Sequence, residues 1–137
     1  MAVKQMLGAL ALSGLMVSGS VARCADTELF GYMESMRDNL QVITRNVRGG
    51  NLDAIEQEAT AFAQAVEAAT QEVPYALSNG SSADLEDYQN VIGDLYAAAR
   101  SLEDAVLAGD QATATAALNE MSQIRRTGHG RFKARSC

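Results

Sequence analysis

Apolar residues recur along this chain at alternating steps of three and four, which is the repeat of a helix with one buried face. Leu29, Met33, Met36, Leu40, Ile43 and Val47 form the first such stripe and predict a helix over about 27–47. Gly49-Gly50 interrupts it, Asn51 can cap a new helix, and Leu52, Ile55, Ala59, Phe62, Val66, Ala69 and Val73 predict that second helix over 52–73. The stretch 74–82 is turn-forming, and Ser81 with Asp84 three residues on has the capping-box pattern. Leu85, Tyr88, Ile92, Leu95, Ala99, Leu102 and Val106 then stripe a third helix over 82–108. Gly109 ends it and Asp110 is an N-cap candidate for a fourth, whose face carries Ala114, Leu118, Met121, Arg125, His129 and Phe132. That last stripe is unusual in holding an arginine and a histidine.

Each helix must bury its stripe, and short connections force successive helices to reverse direction. The expected fold is therefore all-α, an antiparallel up-down-up-down four-helix bundle in one domain.

The residues before the first stripe change the picture. Lys4 begins a positive segment, Met6 to Val21 is apolar, and Ser20-Val21-Ala22 has the small-x-small form of a signal-peptidase site. Residues 1–22 are read as a cleaved secretory signal and 23–137 as the bundle, which places the mature protein in the periplasm. The apolar run is shorter than the roughly 20 residues needed to span a bilayer. Cys24 lies where a lipoprotein cysteine would, but the bulky, charged Arg23 beside it argues against lipidation.

The full chain has a formal charge of −6, and loss of Lys4 with the signal leaves −7. An acidic domain of this kind is a poor nucleic-acid binder. Cys24 and Cys137 are the two cysteines. The bundle topology brings the chain termini to one end, so a disulfide between them is expected in an oxidising compartment.

The same topology sets Met33, nine residues after Cys24, against His129, eight before Cys137. At about 1.5 Å per helical residue both lie roughly 12–13 Å from the terminal cysteines. A thioether facing an imidazole across two neighbouring helices suits the axial ligation of haem iron. Met36 lies about 4.5 Å deeper, and Met121 shares a helix with His129. The bland alternatives stand beside this one: a core-stripe methionine is commonly packing, and a lone histidine near a helix C-terminus commonly complements the dipole.

The residues around the pair carry a resemblance. The segment 33–43 (MESMRDNLQVI) resembles the first helix of the soluble cytochrome b562 family, with its Met-Glu-x-x-x-Asp-Asn-Leu-x-Val-Ile run. The segment 125–133 (RRTGHGRFK) is similar to the family's last helix, where an arginine precedes the ligand histidine by four, as Arg125 precedes His129. It is also similar to the related cytochromes c′, but Arg125 and Gly128 stand where those proteins have the two cysteines that attach haem covalently. The resemblance is sharp in the first and last helices and is one of pattern in the middle. Gly128 and Gly130 depart from it, weakening that turn of helix by about 1 kcal/mol each relative to alanine.

The resemblance implies one non-covalent haem b, ligated by Met33 and His129 with Arg125 nearby, in a carrier of single electrons; a monomer is expected. Leu29, Leu40, Phe62, Leu118 and Phe132 are expected pocket walls. Arg125, Arg126, Arg131, Lys133 and Arg135 could neutralise haem propionates or complement the helix end. The acidic total charge suggests docking to a basic redox partner protein. Two other readings are a haem-free periplasmic bundle acting as a binding or stress-adaptor module, and five-coordinate haem that binds gases. An enzyme finds little support: there is no second histidine and no nucleophile beside a base.

Overall fold

The computed structural model describes Cys24, residues 27–77 and residues 80–133. The expected signal segment lies outside them. Four helices run in order: α1 (Glu28–Gly49), α2 (Glu56–Ala69), α3 (Ser82–Ala108) and α4 (Gln111–Phe132). Among the described residues there is no strand, and the helices form the expected four-helix bundle.

Each helix begins and ends for a local reason. The Thr27 hydroxyl accepts from the Phe30 backbone N–H and donates to the Cys24 carbonyl, so α1 is capped against the segment that carries the cysteine. Gly50 and Gly109 close α1 and α3 at φ 74° and 67°, the left-handed region that costs a side chain but not glycine. Ser81 and Asp84 form the reciprocal capping box, and the Asp110 carboxylate accepts from the Thr113 N–H at 3.1 Å.

The second helix departs from expectation at both ends. Asn51 makes no side-chain cap, and Leu52–Ile55 is a 3-10 turn that leads into α2. The helix stops at Ala69, where Tyr88 Oη donates to the Ala69 carbonyl at 2.8 Å and the Thr70 hydroxyl donates to the Glu67 carbonyl. Val73, counted in the stripe, is 49% exposed. It precedes Pro74, whose ring disfavours helical backbone at the residue before it.

The core is drawn largely from the stripe residues, with Ile43, Ile55, Val66, Leu102 and Met121 among its fully buried members, while Leu85 and Leu95 are only partly buried and Ala63, Ala98, Ala105 and Ala117 join it from outside the stripes. Glu103 is the buried charged residue among those described, and it is paired with Arg100 one turn earlier on α3. Packing is uneven. Neighbouring helices α1 and α2, α2 and α3, and α3 and α4 lie against each other along their lengths, whereas α1 and α4 touch sparsely. Gln111 Nε2 bridges that last pair at one end, donating to the Val47 carbonyl at 2.7 Å. The bundle is thus fastened at the α3–α4 turn and left open along the α1–α4 seam.

Candidate functional site

The open seam is where sequence stripe and buried core part company. Of the six stripe residues on α1, Leu29, Met36, Ile43 and Val47 are buried, while Met33 and Leu40 are only partly covered. On α4, Ala114, Leu118, Met121 and Phe132 are buried, while Arg125 and His129 are exposed. At about 100° per residue, Met33 lies on the same side of the α1 stripe as Arg48, some 60° from it. Arg48 is the α1 residue that lines a groove with Asn119, Ser122, Arg125, Arg126 and His129 of α4. Met33 and His129 therefore occupy the flanks of α1 and α4 that border one seam.

Their levels along the bundle are close. From the Gln111–Val47 fastening, Met33 is fourteen residues along α1 and His129 eighteen along α4, roughly 21 and 27 Å. Side chains lean toward the N-terminus of their own helix. In antiparallel helices this sends Met33 toward the open end and His129 away from it, so the two converge.

The surroundings of His129 suit ligation. Partial burial, and then the charges of Arg125 and Lys133, hold its imidazole below the ordinary 6.5, so it is neutral at pH 7 with a lone pair to give. The last turn of α4 is anchored from the other side. Phe132 packs edge to face on Tyr88, and Arg131 pairs with Asp87 of α3 at 2.5 Å while lying over the Phe132 ring. Gly128 faces α3, where a Cβ would meet Val91 Cγ1 at 3.4 Å, an ordinary van der Waals contact.

The basic residues grouped in sequence are separated in space. Arg125 and Arg126 border the groove, Arg131 is tied to α3, Lys133 follows the last helical residue, and Arg135 and Cys137 lie outside the described residues. Cys24 is 4% exposed and disulfide-bonded. Arg48 was not legible as a site residue: it belongs to the opposite end of α1 from Met33 in sequence, and only helix pairing puts it beside α4. Of the expected pocket walls, Leu29, Phe62, Leu118 and Phe132 are buried and Leu40 is partly buried against the core.

A family model described as cytochrome b562 matches residues 28–133, the whole span of the four helices. The chain belongs to the cytochrome b562 family. Comparison with curated proteins and with solved structures gave no match. The family is one of haem-binding electron carriers with a b-type haem. The donors here fit such a group in kind: His129, an imidazole held below its ordinary pKa, lines a groove of about 740 Å³, and the thioether of Met33 lies partly buried on the flank of α1 that carries Arg48 of that groove. No helix among the described residues is long and apolar enough to cross a membrane.

Proposed function

We propose that residues 23–137 form a periplasmic b-type cytochrome that holds one non-covalent haem between Met33 and His129 and passes single electrons. The observation that carries this reading is the open α1–α4 seam, bordered by the family's two expected ligand types on facing helices. The periplasmic placement rests on Lys4, the apolar segment behind it and Ser20-Val21-Ala22.

Haem, when bound, supplies an iron centre that cycles between ferrous and ferric states. Met33 and His129 would hold the haem iron from two sides, and with both side chains bound the centre would serve electron transfer rather than chemistry on oxygen or a substrate. The soft thioether of Met33 favours the ferrous state relative to a second imidazole. Phe62, Leu118 and Phe132 exclude water from the inner side of the seam. Burial first, and then the positive charges of Arg125 and Lys133, lower the pKa of the His129 imidazole and favour its neutral form.

The test is a haemin titration of residues 23–137, with absorbance spectra recorded oxidised and after dithionite. One-to-one uptake with sharp low-spin reduced bands is expected. Met33→Ala should become high-spin, and His129→Ala should lose most of its affinity. A high-spin wild type that binds carbon monoxide would mean that Met33 does not ligate. No saturable uptake would leave a haem-free bundle and overturn the reading.

A further inference from the structure

The chain's total charge is −6, but the helices do not share it evenly. Helix α2 carries three glutamates and no base, and α3 carries six acids against one arginine. On α1 three acids balance three arginines, and α4 has three arginines against one glutamate. The pairing sharpens this contrast. Arg37 is engaged by Glu34 and Asp38, Arg100 by Glu103, and Arg131 by Asp87. Among the described residues, Arg45, Arg48, Arg125 and Arg126 have no ion pair, and the last three border the α1–α4 groove, which no acidic side chain lines.

We infer that this groove rim is a docking surface for a partner protein that presents carboxylates. Three unpaired guanidiniums on one face of an acidic protein make a local potential opposite in sign to the net charge. Within a Debye length of about 10 Å at 0.1 M salt, the local charges outweigh the distant ones. Guanidinium forks also match carboxylates bidentately, which orients a partner as well as attracting it. Ser122 and Asn119 between the arginines add neutral hydrogen-bonding groups and no repulsion. The total charge alone points to a basic partner; the distribution of charge around the seam points to an acidic one. The inference builds on the proposed cytochrome reading in one respect only: with His129 on the same rim, the docked partner is the one that exchanges electrons.

Two measurements test it, the first independent of haem. Titrating the full ¹⁵N-labelled mature protein with a hexaglutamate peptide at low salt should shift backbone amides of residues 119–129 and Arg48, saturably. Amides of α2 and the outer face of α3 should stay in place. Arg48→Glu with Arg126→Glu should weaken the effect tenfold or more. Glu56→Lys with Glu67→Lys on α2 should leave it unchanged, though that pair raises the net charge by four units. Shifts that are absent, scattered, or dependent only on net charge would overturn the inference.

The second uses the reduced haem-loaded protein, which gives one electron to ferricyanide as ferrocyanide forms. The rate should fall several-fold as salt rises, as for opposite charges, despite the protein's negative total. A rate that rises with salt overturns the docking surface while leaving the haem reading intact. Failure to take up haem removes the proposed function instead, and the peptide titration then decides the surface alone.

Discussion

Phe132 meets Tyr88 edge to face, with ring centroids 5.6 Å apart and planes at 84°. This contact joins the last turn of α4 to the start of α3, one turn beyond His129. Tyr88 in turn donates to the Ala69 carbonyl at the end of α2. Three helices are therefore held at the open end of the bundle by one aromatic pair, and the histidine rides on that anchor.

Removing the ring should release it. Phe132→Ala is expected to cost about 3–5 kcal/mol, as buried Phe truncations do. Because the loss falls beside His129, haem affinity should drop with it, while Met33 on α1 is untouched. Urea unfolding of the apo form and haemin titration of the folded fraction measure the two effects. An affinity equal to wild type would show that the anchor is not needed to present the histidine.

Tyr88 also makes stability depend on alkaline pH. Burial, with Glu72's charge added, pushes its hydroxyl from 10 up to about 12. The folded state thus holds the proton more tightly than the unfolded one. The resulting stabilisation is fully present below pH 10 and is lost as pH rises from 10 toward 12, up to about 2–3 kcal/mol. Tyr88→Phe should cost about 1 kcal/mol at pH 8 through the lost hydrogen bond. It should also flatten that alkaline decline, as followed by urea midpoints at pH 8 and 11.

Gly130 lies within α4 with nothing inside 4 Å of where a Cβ would stand. Gly130→Ala should stabilise the protein by about 1 kcal/mol, through helix propensity and a less flexible unfolded chain. The melting temperature should rise by a few degrees. No rise, or a fall, would mean that this turn is not helical in solution.

Cys24 is expected to pair with Cys137, joining the start of α1 to the end of the chain. Oxidised mature protein should then show no reactive thiol under a thiol-specific reagent in denaturant. Reduction should lower stability by about 2–4 kcal/mol. Two thiols per chain in the oxidised protein would exclude the bridge.

The fold was legible in the sequence because its causes are local. Stripe spacing, the Ser81–Asp84 box, the Asp110 cap and the glycines after α1 and α3 each act within a few residues, and the helices appear where those signals stand. The exceptions are local conflicts too. Val73 fits the stripe but precedes Pro74, and Asn51 sits before a 3-10 turn whose first N–H groups it does not cap.

The candidate site was only half legible. Residue type, and the resemblance carried by 33–43 and 125–133, picked out Met33, Arg125 and His129 before any packing was known. Periodicity set Met33 and Leu40 in the same stripe as Ile43, because a helical repeat records which face is apolar and not which neighbour covers it. Tertiary structure alone decided that α1 and α4 stay apart along their seam, that Arg131 turns to Asp87, and that Arg48 joins Arg125 and Arg126. Those outcomes depend on the pairing of helices distant in sequence. Side-chain volume at each interface sets how closely the helices approach, and a single chain's pattern does not encode that sum in any one segment.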